Sequence, residues 1–536
     1  MRQEQVSQEQ MSQEQMSYQN ASSLYSALSS LNGLRIVNAH IVSVAVLIAI
    51  LPIAIFGAQL SPIPQTALLL GALLLAYLVA FGWTPGAQLS SPVDWRTLGG
   101  CAALGLTLCL IGGEYHLFFS PYDWFTRDAV LADLVLNKYP VFYHYHDADY
   151  LLRTPLGMYL TPALVGWSFG LPAAHLALLI QNSFLLSTIL YLIAGIAGVS
   201  KPRFLLLLVL FSPVDVIPQV VKNVSEYLDS GTFALDPHFM FWNRLVQYWG
   251  QTPSIFWAPN HALAAWLFVV LLLLNLRREI DIALLGLASI VLLFWSPLAM
   301  IGAAPFLALR ALQSVSRELL SRRTGVAIAA ALCLLPLGVY LTMDAGAVTR
   351  GWMFGRQGFW TLYLLLLVFA LPQAWILLSA WSNVAEWQKT TLGLAIFLLI
   401  VMPFYRIGVS EADNDMTMRC SLAPLFILAF SFSETAPAIL RGRKALASAT
   451  VAVVALSSLT GLMEIRRGLT DPAYKINDCN LVTATEKITP GFPASNYLAH
   501  MNAVPSWFVQ DNGSRLKVEQ RLCWPGYPLS ALGHEA

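Results

Sequence analysis

Charge is what this sequence lacks most. Only 11% of its 536 residues are Asp, Glu, Lys or Arg, where a soluble domain carries roughly 25%. With 57% of the residues hydrophobic, the chain has more apolar surface than a soluble core absorbs, which argues against a water-soluble globular protein. An excess of one sign is missing as well. The formal net charge is +1, and no basic stripe is interleaved with aromatics, so neither a field nor a groove invites a polyanion and nucleic acid is not expected as a partner. Zinc-type CxxC spacing is absent. Of the six cysteines, Cys101, Cys109, Cys333 and Cys420 lie in or beside apolar runs, while Cys479 and Cys523 lie in a polar tail where they can pair. The first 35 residues lack the apolar stretch and small-residue cleavage site of a removable leader. They repeat QEQVS, QEQMS, QEQMS and continue Ser-rich, the composition of a disordered cytoplasmic tail. The first apolar run is therefore expected to stay as an anchor.

What is present is a series of apolar runs long enough to approach the roughly 20 residues of a membrane-crossing helix. They lie near 36–58, 64–83, 97–113, 172–197, 203–220, 257–276, 279–296, 297–312, 326–346, 359–381, 390–408, 420–439 and 445–464. The expectation is an all-α polytopic membrane protein with about thirteen crossings over residues 36–464. Positive residues in short loops set orientation. Arg96, Lys201 with Arg203, Arg277 with Arg278, the group Arg310, Arg317, Arg322 and Arg323, Lys389, and Arg441, Arg443 and Lys444 mark successive inner loops. One parity fits them: amino terminus inside, carboxyl terminus outside, in what reads as a bacterial inner membrane. It requires that Pro155–Gly170 lie along the outer interface or dip and return.

With that parity the polar content gathers on one face. The outer loops 114–171, 221–256 and 409–419 hold Glu114, Asp123, Asp128, Asp133, Asp147, Asp149, Glu226, Asp229, Asp236, Glu411, Asp413 and Asp415, and residues 465–536 form a small outer carboxyl-terminal region. The runs themselves are nearly free of ionisable groups, Asp215 and Glu434 lying near helix ends. A coupled transporter ordinarily places charge or broken helices near the midplane; an enzyme working at the outer rim does not.

The first outer loop is the most informative segment. After Pro121 a helical pattern sets Asp123 and Arg127 one turn apart, with Val130, Leu131 and Leu134 as an apolar face that can rest on the membrane. A carboxylate fixed where membrane meets water can take a proton from an acceptor hydroxyl or hold a metal; the plainer alternative is a helix cap. In HYHDAD, His144, His146 and Asp147, followed by Asp149, are crowded enough to chelate a divalent metal or are simply solvated. In FWAPNHALAAWL, Asn260 and His261 stand at the mouth of a span beside Trp257, either orienting a substrate or belonging to an aromatic belt.

A single span delivering a long outer loop with an acid-headed helix, SPYDWFTRD, followed by Arg153-Thr154-Pro155 and Tyr159, resembles the GT-C class of membrane glycosyltransferases, which includes protein mannosyltransferases and aminoarabinose transferases. The resemblance covers about residues 97–440 and implies a GT-C-like fold with interfacial helices in the first outer loop. It implies that Asp123, or secondly Asp128, is the catalytic base or a metal ligand. Arg153 stands where aminoarabinose transferases carry a Lys-Pro-Pro run that touches the donor phosphate, and SEADNDMTMRCSLAP, with Asp415 and Arg419, resembles the later loop that helps bind lipid phosphate. The paired Asp-Glu of many members is absent, which leaves donor type and metal dependence open.

The expectation is transfer of a sugar from a polyprenyl-phosphate donor to a glycan, lipid or protein acceptor on the outer face. Asp123 would be base or metal ligand, and Arg153 and Arg419 would meet the phosphate with a guanidinium fork. Arg419 could equally pair with Asp415 four residues before it. The competing reading is a non-enzymatic binder, flippase or assembly factor for lipid-linked glycans.

Overall fold

The computed structural model of the chain describes residues 36–231, 238–243, 245–314, 321–408, 414–488, 496–521 and 523–524. The Gln- and Ser-rich stretch 1–35 lies outside the described residues, as do Asp236, Glu411 and Asp413. The protein is mostly helical. Among the described residues seven helices are long and apolar enough to cross a membrane: Asn38–Gly57, Pro62–Gly82, Leu171–Ile196, Pro259–Leu276, Glu386–Phe404, Asp415–Ile439 and Lys444–Thr470. Two bent pairs, Arg322–Cys333 with Leu335–Thr342 and Phe359–Phe369 with Pro372–Ser379, raise the number to nine if each is one span.

The expected thirteen crossings are thus not all there as continuous helices, and the breaks have visible causes. The run 203–220 divides: the helix Lys201–Val209 ends after nine residues, and an amphipathic helix, Val216–Ser230, begins beyond Pro213 and Asp215. Ser296 accepts from Ala299 N and starts the helix Pro297–Gln313 with Pro at its first position, so the runs 279–296 and 297–312 part where expected, but the first holds only the helix Ile282–Leu293. Twelve helical residues reach only about 18 Å, short of a hydrocarbon layer of about 30 Å. Trp95–Ile111 and Leu160–Phe169 are likewise short apolar helices.

The fold is also not purely helical. In the loop 114–171 β1 (Phe142–Tyr145) and β2 (Ala148–Leu152) form a hairpin, and β5 (Leu498–His500) from the tail pairs antiparallel with β2. His146 and Asp147 supply the two left-handed residues, φ 46° and 58°, that a tight hairpin turn requires. β3 (Thr349–Trp352) pairs antiparallel with β4 (Tyr405–Gly408).

Small residues allow close helix approach in the interior. A Cβ on Gly105 would meet Ser187 Oγ at 2.5 Å, which is how Trp95–Ile111 lies against Leu171–Ile196. A Cβ on Gly302 would meet Cys420 O at 1.7 Å, so only glycine lets Pro297–Gln313 sit under the segment that carries Arg419. Pro259–Leu276 and Asp415–Ile439 are the inner helices, whereas Lys444–Thr470 is largely exposed.

Loop contacts sort into two ends. At one, Gly86 N donates to Glu279 O, Lys201 pairs with Asp94, Arg323 pairs with Asp281 and Gly198 N donates to Glu434. At the other, Ser61 N donates to Phe508 O, Trp124 Nε1 to Phe256 O and Arg153 N to Tyr497 O. The first long loop, the end of the second and the tail therefore meet at one end of the helices.

Candidate functional site

The loop helix Asp123–Asn137 begins after Pro121, with Tyr122 as the flanking residue. Asp123 is its first residue, and the flanking Tyr122 makes no side-chain cap. Arg127, one turn on, brings Nη2 to 3.3 Å from Asp123 Oδ2. The helix is held by aromatic anchors. Trp124 Nε1 donates to Phe256 O at 3.0 Å, Tyr122 meets Trp257 edge-on at 5.1 Å, and Phe125 stacks on Trp524 of the tail at 4.0 Å.

Around Arg127 side chains from four parts of the chain gather. Tyr497, next to β5, lies within electrostatic reach of Asp123, Arg127 and Arg419. Tyr159, before Leu160–Phe169, feels Arg127, Tyr497, Asp128 and Asp123. His261 feels Arg419 and Arg127, and its Nδ1 is 2.6 Å from Ser296 Oγ. Asn260, one residue earlier, is buried with Nδ2 directed at Trp295 O, 3.5 Å away. Arg419 forms an ion pair with Asp415. Their short helix, Asp415–Met418, is capped by Asn414, whose side chain accepts from Met416 N and donates to Tyr405 O of β4. Asp123, His261, Arg419 and Tyr497 are half-buried, while Arg127, Tyr159 and Asp415 are buried. The result is a rim of reachable groups over a buried guanidinium, with a carboxylate able to accept a proton and cations able to meet an anion.

Arg153 reaches the rim through its backbone, N donating to Tyr497 O at 2.7 Å, and the hairpin candidates lie elsewhere. Arg153 is buried beside Tyr340 and Asp344, and Tyr340 OH donates to Thr154 O at 2.7 Å. On the hairpin His144 Nδ1 is 2.8 Å from Asp149 Oδ1 across the strands, and Arg515 Nε is 3.0 Å from the second oxygen of Asp149. The His144 and Arg515 contacts hold the Asp149 carboxyl below its ordinary range. His146 Nε2 lies 3.9 Å from Glu486. Among the described residues the ligand atoms of His144, His146 and Asp147 do not converge into a group of three. Cys479 and Cys523 are joined in a disulfide.

Asp128 is not at the rim. It is buried, with Oδ2 2.9 Å from His116 Nε2, and its ligand atom, with one each from His116 and His175, falls within a 4.8 Å set. Glu114 is buried beside Asn182, whose Nδ2 is 3.1 Å away, and burial pushes its carboxyl up to about 8. Sequence reasoning missed Tyr497, His116 and His175. His175 had a signal, a lone ring nitrogen pair inside an apolar run. Tyr497 had none, because only the β2–β5 pairing brings the tail back to the loop.

No protein-family model, curated protein or solved structure matches this chain.

Proposed function

We propose that the protein is a membrane glycosyltransferase that takes a sugar from a polyprenyl-phosphate donor at the membrane face carrying the long loops. The observation that carries this reading is the half-buried rim of Asp123, His261, Arg419 and Tyr497 around Arg127, at the end where interfacial segments meet the spans. Asp123 accepts the proton of the acceptor hydroxyl. The acceptor oxygen bonds to the anomeric carbon as the bond from that carbon to the phosphate oxygen breaks, and the lipid phosphate leaves with the electron pair. Arg419 and Arg127 face the charge left on that phosphate, a task that suits guanidinium forks. The amphipathic helix Val216–Ser230 exposes Val220, Val221, Val224 and Leu228, a face suited to lie on a bilayer next to a lipid substrate.

The test is donor binding and turnover by the purified protein in nanodiscs, using a panel of polyprenyl-phosphate sugars. Release of free polyprenyl phosphate is expected for at least one donor. Arg419→Lys keeps the charge opposite Asp415 but loses the fork, and its donor affinity should fall about tenfold or more, in line with 1.5–3 kcal/mol for a charge-assisted contact. Failure of every polyprenyl-phosphate sugar to bind would remove this reading.

A further inference from the structure

On the far side of the loop helix from Asp123, five residues and roughly 140° around its axis, three side chains from three elements converge. Asp128 comes from the loop helix, His116 from the turn Glu114–His116 that follows Trp95–Ile111, and His175 from the first turns of Leu171–Ile196. All three are buried. One ligand atom from each falls within 4.8 Å of the others, and the two imidazole rings are 5.3 Å apart.

The polar bookkeeping of this cluster does not close with protein groups. Neither carboxylate oxygen of Asp128, neither ring nitrogen of His175 and not Nε2 of His116 has a hydrogen-bond partner, where buried polar groups are nearly always paired. His116 shows why. Ser120 Oγ spends its hydrogen on Gly113 O at 2.8 Å, so toward His116 Nδ1, 3.1 Å away, it can only accept. Nδ1 therefore carries the ring proton in the neutral imidazole, and Nε2 keeps a lone pair whose in-plane direction passes beside Asp128 Oδ2, 2.9 Å away. Two such electron-rich atoms held together in a buried site repel each other unless a proton or a metal ion lies with them. The N–H direction of an imidazolium would miss the carboxylate, since that close approach makes no hydrogen bond. The backbone is bent to reach this arrangement: Gly113 has φ 95°, where a Cβ would lie 2.4 Å from Ser120 Cα, and Tyr115 and His116 both have positive φ.

We propose that His116, Asp128 and His175 bind a divalent transition-metal ion of the zinc type. Two imidazole nitrogens and one carboxylate form the ligand chemistry that such ions take, at about 2.0–2.2 Å per bond with one position left for water. The contact of Ser120 with His116 Nδ1 is the outer-shell bond that fixes the tautomer of a metal-binding histidine. The ion would tie the turn, the loop helix and the span Leu171–Ile196 together, and so hold the helix that Asp123 heads. Metal binding is separate from sugar transfer and does not depend on it.

The purified full chain, treated with chelator and then dialysed against Zn2+ or Co2+, tests this. Close to one equivalent of zinc per chain should survive dialysis, and the Co2+ form should show visible d–d bands of a low-coordinate N/O site. His175→Gln and Asp128→Asn should each reduce bound metal at least tenfold, whereas His144→Gln with His146→Gln in the exposed hairpin should leave it unchanged. Because a variant of a buried residue can fail to fold, the cobalt spectrum of the parent stands by itself. No bands and no retained zinc in the parent would overturn the proposal, as would retention by His175→Gln and Asp128→Asn or loss in the hairpin variant.

Discussion

Asp123 and Asp133 lie ten residues apart on one helix and have opposite surroundings. Asp123 is half-buried beside Arg127 at the rim. Asp133 is buried, accepting from Tyr143 OH at 2.6 Å and from Leu481 N of the tail at 2.9 Å, and burial pushes its carboxyl up to about 7. A carboxyl that keeps its proton to higher pH when folded than its ordinary 3.8 stabilises the fold at low pH. That contribution is lost as pH rises from about 4 to about 7. The docked tail should therefore resist proteolysis or hydrogen exchange better at pH 5 than at pH 8, and Asp133→Asn should flatten the difference. An unchanged pH slope in that variant would count against it. At this scale the sequence spoke clearly for Asp123 with Arg127, because a one-turn spacing on a helix fixes proximity. It ranked Asp128 second only by resemblance and gave Asp133 no role, since which acid faces the rim depends on what packs against the helix from elsewhere.

Among elements, the apolar runs were legible and their breaks less so. Hydropathy counts residues, but a Pro-Val-Asp step inside a run ends one helix and starts another, as at Pro213–Asp215 in the run 203–220. In the hairpin, side chains crowded enough to chelate or simply to be solvated hide a turn: His146 and Asp147 are also turn formers, and the left-handed turn is the role they take. The tail, polar and short, was the hardest to read. It is tied down by β5 on β2, by Leu481 on Asp133, by Trp524 on Phe125 and by the disulfide between Cys479 and Cys523, which are 44 residues apart. Removing a crosslink over such a loop typically costs about 2–4 kcal/mol. Cys479→Ser should accordingly lower the melting temperature and expose the tail to protease, and a reducing agent should do the same to the parent and nothing further to the variant. Equal stability of parent and variant would mean that the strand pairing alone docks the tail.

For the whole molecule, the account rests on one face. The contacts Trp124 to Phe256, Arg153 to Tyr497 and Ser61 to Phe508 gather the loops at one end, so cysteines placed at the exposed positions Asp147 and Ser230 should both react with an impermeant reagent from the same side of sealed vesicles. Reaction from opposite sides would break the single-face arrangement. The central claim, that Asp123 performs the proton transfer of a lipid-linked sugar transfer, is tested most directly by single-turnover kinetics of Asp123→Asn with a bound polyprenyl-phosphate sugar. Asn preserves size and suits a helix start about as well as Asp, so expression, disulfide formation and donor affinity should stay near parental values. General-base assistance is worth about 100-fold to 10,000-fold, so the transfer step should slow by that much. Transfer at the parental rate by a folded, donor-binding Asp123→Asn protein would contradict the account.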